Sequence, residues 1–222
     1  MTVDENFNRD TKYWDDYYKE NRENADASLF AQNIFENYLA EKKGRLLEIG
    51  CGNGRDSRFF ISKGFDVTAI DASKIAIEKL QHEFADMKTA LFACGDFVSG
   101  IENFKEQFDF CYSRFSLHAI NEEQERILLR NVFGAIKQAG YFFIETRGVH
   151  DELYGMGEKV GEDAYFYNMH YRRFIRKERL KKALEKQGFS IVELVESRNF
   201  APYGNENPLV IRCIAGKGKK LI

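Results

Sequence analysis

The segment Glu48-Ile49-Gly50-Cys51-Gly52-Asn53-Gly54 places alternate glycines directly after an apolar run. Glycine admits positive φ and lets backbone come close to a ligand, and a helix that starts at such a turn offers unpaired N–H groups. Asp71 ends the next apolar run. A carboxylate there can accept hydrogen bonds from both hydroxyls of a ribose, so the pair suits a nucleoside-type ligand. The spacing also separates ligand classes. The dinucleotide fingerprint is Gly-x-Gly-x-x-Gly; here Gly50 and Gly52 are followed by Gly54, and Arg55 stands where the last glycine belongs. A pyrophosphate cradle, and with it an NAD-dependent oxidoreductase, is disfavoured. The other chemistry-bearing residues are His118 and the arginines Arg114, Arg147, Arg172 and Arg173. Guanidinium forks match carboxylate and phosphate geometry. A histidine titrates near neutral pH and can act as a general base or a hydrogen-bonding group.

These residues need a frame that brings them to one crevice. From Arg45 the pattern alternates short apolar runs with amphipathic stretches. Strands are expected at Arg45–Ile49, Asp66–Ile70, Ala90–Cys94, Phe108–Ser113 and Tyr141–Glu145. Between them lie a helix from about Arg55 to Lys63, one capped by Ser73 and one capped by Asn121 and ended by Gly140. A helix over Lys177–Lys186, stopped by Gly188, precedes two closing strands, Ser190–Ser197 and Pro208–Gly216. Such βαβ units with short connections imply an α/β three-layer sandwich around a mostly parallel sheet. In open sheets of this kind, ligands sit at the carboxyl ends of the strands.

Two segments depart from the rhythm. Residues 1–40 read as a helical cover, with Tyr13, Trp14, Tyr17 and Tyr18 at its front and Leu29, Ile34, Phe35, Tyr38 and Leu39 at helical spacing behind. Residues 147–175 form a long aromatic insertion, and loops of that length are often functional; it reads as a lid that carries Tyr165 and His170. Asp56 reads as a partner of the helix dipole, and Ser28 carries no signal. The tail from Gly216 to Lys220 reads as a solvated end.

Composition narrows the classes. The net charge is −2, so no global field favours nucleic acid or a membrane surface. Cys51, Cys94, Cys111 and Cys213 form no C-x-x-C pair and lie beside no histidine at metal-ligand spacing. They are expected to be reduced and mostly buried, with no metal site. Residues Met1–Glu5 lack the basic start of a signal peptide, and no apolar stretch reaches the roughly 18 residues that span a bilayer. One cytoplasmic domain over residues 1–222 is the expectation, with a homodimer left open.

Taken in order, these motifs resemble the class I, Rossmann-like S-adenosylmethionine-dependent methyltransferases. Glu48–Gly54 is similar to their first motif, Ala69-Ile70-Asp71-Ala72-Ser73 to the second, Cys94-Gly95-Asp96-Phe97 to the third and Phe108–Arg114 to the fourth strand. The resemblance runs from about residue 45 to 215. It implies a seven-stranded sheet with an antiparallel last strand and S-adenosyl-L-methionine as cofactor. It implies that Glu48, Gly50, Cys51, Gly52 and Gly54 face the methionine part and that Asp71 and Ala72 hold the ribose. Asp96 and Phe97 would meet the adenine, and Ser113 and Arg114 the methionine amino group. In that fold the segment after the fourth strand lies beside the transferred methyl. His118 and Arg114 are then the expected catalytic residues. Arg114, His118, Arg147, Tyr165, Arg172 and Arg173 are expected to bind a small anionic acceptor, methylated at oxygen. The stretches Tyr112–Ile120 and Arg172–Ile175 are also similar to small bacterial methyltransferases associated with surface-polysaccharide modification. Asn53-Gly54-Arg55-Asp56-Ser57 is similar to tellurite- or thiol-detoxifying methyltransferases, which stay as a rival reading. A nucleotide-binding module without chemistry is the other. The Asn-Pro-Pro-Tyr type of base-flipping motif is absent after the fourth strand, so a nucleic-acid substrate is not expected.

Overall fold

A computed structural model describes residues 12–19 and 26–218. Residues 1–11 and 20–25 of the expected cover, and Lys219 and Lys220 of the tail, lie outside the described residues. Helix α1 spans residues 12–19. Helix α2 (Leu29–Ile34) is capped by Ser28, whose hydroxyl accepts from the Ala31 N–H, and it runs on into one wider turn at Phe35–Leu39.

The central sheet holds seven strands: β1 (Arg45–Ile49), β2 (Asp66–Asp71), β3 (Ala90–Cys94), β4 (Phe108–Arg114), β5 (Ile136–Arg147), β9 (Phe189–Ser197) and β10 (Val210–Lys217). Their order is β3-β2-β1-β4-β5-β10-β9. Only β10 is reversed, pairing antiparallel with both β5 and β9. The chain winds outward from β1 through β2 to β3, then returns to the other side of β1 to start β4. That reversal opens a crevice beyond the carboxyl ends of β1 and β4.

Helices cover both faces. Alternation along each strand sends neighbouring side chains to opposite sides. Leu47, Ile49, Cys111 and Phe142 pack with Leu128 and Val132 of α5 (Glu122–Ala135) and with Leu180 and Leu184 of α6 (Lys177–Gln187). Leu46, Phe110, Tyr112 and Phe143 pack on the other face with Phe30 of α2, Phe60 of α3 (Arg55–Ser62) and Leu80 of α4 (Lys74–Glu83). The caps that delimit these helices were readable: Ser73 for α4, Asn121 for α5 and the left-handed Gly188 after α6. Among the described residues no helix is long and apolar enough to cross a membrane.

Three features differ from the sequence reading. Gly140 does not end α5. The helix stops at Ala135, and Ile136 is already extended and paired with Phe108. Ala139 takes a positive φ, and the β4–β5 register shifts before Tyr141 joins Phe110. Gly140 sits inside this bulge, where a Cβ would crowd the Asp109 carbonyl. The insertion is not an irregular loop. It forms a three-stranded antiparallel sheet, β6 (Glu158–Gly161), β7 (Ala164–Tyr167) and β8 (His170–Arg173), tied to the end of β5 by a bridge between Gly148 and Ile175. Lys217 is buried rather than solvated. Its ammonium donates to the Phe133 and Ile136 carbonyls at the end of α5 and pairs with Glu106 at 3.2 Å. A cation there complements the helix dipole.

Candidate active site

A cavity of about 560 Å³ fills the crevice, within the range of small-molecule sites. The glycine turn forms its floor. Gly50 and Gly52 have φ of +70° and +54°. A Cβ on Gly50 would collide with the Ser116 hydroxyl, and one on Gly52 with the Tyr18 hydroxyl. Backbone is thus exposed to the cavity only because side chains are missing. Asp71 fixes this turn to β2: one carboxylate oxygen accepts from the Gly52 N–H and the other from the Ser73 N–H, both at 2.8 Å. Burial raises the Asp71 pKa, and these backbone hydrogen bonds oppose the rise.

Glu48 and Asp56 line the same cavity. The Ser57 hydroxyl donates to one oxygen of Glu48. Burial first, and the neighbouring Asp56 second, push the Glu48 carboxyl well above the usual range. Asp56 accepts from the Ser28 N–H at 2.7 Å, from the Ser28 hydroxyl at 2.8 Å and from the Tyr112 hydroxyl at 2.8 Å. It therefore does more than face the α3 dipole, joining α2, α3 and β4 at the cavity wall. Asp96 and Phe97 also line the wall. The Asp96 carboxylate organises its own turn, accepting from the Val98 and Ser99 N–H groups and the Ser99 hydroxyl.

The next stretch of the wall is built from β4 and the turn after it. Arg114 reaches the wall, with its Nε donating to Glu145 at 2.8 Å and its guanidinium 4.4 Å from the Phe115 ring centroid. Glu145 is fully buried and also accepts from Arg212 Nε at 2.7 Å. Phe115 lines the cavity with φ of +54°, uncommon for so bulky a residue. Asn121 and Gln124 line it as well, locked in a capping box. The Asn121 oxygen accepts from the Gln124 N–H, and the Gln124 oxygen accepts from the Asn121 N–H. Both amide oxygens are spent, and both NH₂ groups are left as donors.

Several expected site residues lie elsewhere. Ser113 is buried and off the wall, because along β4 it shares a face with Cys111, opposite to Tyr112 and Arg114. His118 is buried behind the wall, 5.9 Å from the Phe115 ring and 6.0 Å from the His170 ring. Burial, with His170 and Arg147 nearby, pushes its pKa well below the ordinary imidazole value, so the ring is neutral at pH 7. Arg147 pairs with Asp151 at 2.7 Å. Arg173 turns from the cavity to the Ile120 carbonyl and to Glu125. Arg172 is half-buried, and burial with the nearby Arg147 lowers its pKa. Tyr165 packs on Tyr154 and Phe174 beneath the small sheet. Its neighbour on the next strand, Tyr171, does line the cavity.

The roof is α1, which contributes Trp14, Tyr17 and Tyr18 to the lining. Asp15 accepts from the Ser73 hydroxyl at 2.6 Å at the α4 end. Tyr13 stacks on His170 of β8, with ring centroids 4.9 Å apart. The helix thus joins the start of α4 to the insertion. Among the described residues no His, Cys, Asp and Glu group could hold a metal ion.

The family model for a methyltransferase domain matches residues 18–194. Over 124 residues the chain is 29% identical to the carboxy-S-adenosyl-L-methionine synthase of Helicobacter pylori, a match that covers 53% of this chain and 48% of that protein. The chain thus spans about half the length of this curated relative. Among solved structures, a methyltransferase of Methanosarcina mazei superposes with a TM-score of 0.72 at 22% identity, covering 84% of this chain and 98% of the other. The 1,6-didemethyltoxoflavin-N1-methyltransferase of Burkholderia thailandensis, solved with its substrate and S-adenosylhomocysteine, superposes with a TM-score of 0.73 at 17% identity, covering 99% and 92%. These two likenesses show the fold.

Proposed function

The chain belongs to the methyltransferase-domain family of S-adenosylmethionine-dependent enzymes, and from that premise we propose that it methylates a small anionic acceptor at oxygen. The cofactor supplies a methyl group on a sulfonium centre. The acceptor oxygen forms a bond to that carbon while the carbon–sulfur bond breaks with its electron pair going to sulfur.

The cavity fits this cofactor. Gly50 and Gly52 leave room where a Cβ would collide with the opposite wall, so backbone can lie against the methionine part. We assign Asp71 and Ala72 to the ribose and Asp96 and Phe97 to the adenine, and all four line the cavity. The carboxylates of Glu48, Asp56 and Asp71 suit a ligand that carries a sulfonium and an ammonium.

One observation carries the choice of acceptor. Arg114 donates its Nε–H to Glu145, and Asn121 and Gln124 engage their amide oxygens in the capping box. This leaves the Arg114 NH₂ groups and both amide NH₂ groups as donors on the cavity wall. Donors without acceptors favour an anion. Among the described residues this stretch of the wall carries no imidazole, because His118 is not on it. An alcohol would need its proton removed, whereas an ionised carboxylate or phosphate-type oxygen arrives ready to react. The residues then act by alignment and exclusion of water. α1 and residues 147–175 serve as the lid, through Tyr13 on His170, over a single catalytic domain.

The test is product formation across matched acceptors: small carboxylates and phosphate esters against amines, alcohols, thiols and tellurite. Turnover confined to the acids is expected. Turnover of thiols or tellurite alone would place the chain with detoxifying enzymes instead. Cofactor binding with no turnover of any acceptor would make it a binding module.

A further inference from the structure

The cavity wall at the glycine turn holds more carboxylate than the turn requires. Asp71 alone secures that turn. Glu48 and Asp56 stand beside each other at the wall, since Ser57, the residue after Asp56 in α3, donates to Glu48.

Their surroundings differ. Asp56 receives three hydrogen bonds, from Ser28 of the α2 cap and from Tyr112 of β4. Three donors thus converge on its two oxygens. Glu48 is just as buried but receives a single hydrogen bond, to one oxygen. Its second oxygen takes none from the described residues and belongs to a side chain on the cavity wall. A second negative charge here, desolvated and next to Asp56, needs a cation or a proton. Arg55 of α3 pairs with Asp56 at 3.8 Å, but among the described residues no cation pairs with Glu48, and Asp71 of β2 adds negative charge. Cys51, Cys111 and Tyr112 stay uncharged through burial. Arg114 is committed to Glu145.

We propose that Glu48 and Asp56 form an ammonium site for the amino-acid end of the cofactor, and that binding there releases a proton held by the pair. Asp56 is thereby a cofactor-binding residue, with Ser28 and Tyr112 as its positioning residues. The proposal rests on the cofactor reading above. Protons and charge balance: the free protein holds one carboxylate and one carboxylic acid, the complex holds two carboxylates and an ammonium, and one proton passes to solvent. The sign follows. Glu48 is protonated in the free state over a range where it is ionised in the complex, so cofactor affinity rises with pH across that range.

Calorimetric titration with S-adenosylhomocysteine, at one pH in buffers of different ionisation enthalpy, counts the protons. About one proton released per ligand is expected for the unaltered chain, and about none for Glu48→Gln. 5′-Methylthioadenosine has the same nucleoside without the amino-acid end, and should bind with no proton release. Asp56→Asn should weaken S-adenosylhomocysteine by about tenfold or more and methylthioadenosine by less than about twofold. Binding of S-adenosylhomocysteine without proton exchange would overturn the proposal. Equal weakening of both ligands by Asp56→Asn would leave Asp56 a purely structural role and overturn it too. Absence of any S-adenosylhomocysteine binding would instead overturn the cofactor reading.

Discussion

Two stretches of the cavity wall differ in charge and in construction. On one stand the carboxylates of Glu48, Asp56 and Asp71, at or just beyond the ends of β1 and β2, each tied into the scaffold by hydrogen bonds. On the other stand Arg114, Asn121 and Gln124, on the turn after β4 and the first turn of α5, offering donors. Glu145 lies between Arg114 and Arg212 and pairs with both. A cofactor with net positive charge and an anionic acceptor would each find the complementary stretch. On the proposed reading, this polarity would orient the two reactants.

Substitutions on either stretch test whether the two are separable. The largest effect is expected at Asp71. Asp71→Ala removes the acceptor of the Gly52 and Ser73 N–H groups together with the proposed ribose contact. S-adenosylhomocysteine affinity should fall by at least about a hundredfold by calorimetry. Arg114→Lys keeps the charge but loses the fork. kcat/KM for an acid acceptor should fall by about ten- to a hundredfold, while cofactor affinity moves by less than about twofold. An equal loss in both would erase the distinction between the two stretches. Gln124→Glu keeps the oxygen that caps α5 but exchanges a donor for a negative charge. The acceptor KM should rise by about five- to tenfold, with Tm unchanged. The smallest effect is expected at His118. Because the ring is off the wall and held neutral, His118→Asn should change kcat by less than about fivefold, and the pH–rate profile should show no imidazole inflection. A loss of about a hundredfold or more would restore His118 as the base.

The same contrast explains what could be read in advance. The glycine turn, Asp71 and Asp96 lie at strand ends, where local pattern alone decides position, and all of them line the cavity except for the backbone-buried part of the turn at Gly54. The parallel strands β1 to β5 follow from βαβ rhythm, while the reversed β10 was expected from the resemblance to class I methyltransferases. The acceptor side depends on long-range register. The β7–β8 hairpin turns at Asn168-Met169, both with positive φ. A two-residue turn of that kind is usually signalled by glycine, so residues 147–175 read as a loop. Once the hairpin is set, alternation along β8 sends Tyr171 to the cavity and leaves Arg172 off its wall, while Arg173 reaches Glu125. Asn121 was legible as a cap, and Asn-x-x-Gln was the available signal for Gln124; that their spare NH₂ groups face a ligand needed the cavity. Ser28 carried no signal because its partner, Asp56, is distant in sequence.

The most direct measurement is calorimetric binding of S-adenosylhomocysteine to the unaltered chain, to Arg114→Lys and to Asp71→Ala. A cavity wall divided in this way predicts one site per chain, retained in Arg114→Lys and lost in Asp71→Ala. No binding to the unaltered chain, or equal binding to Asp71→Ala, would contradict it.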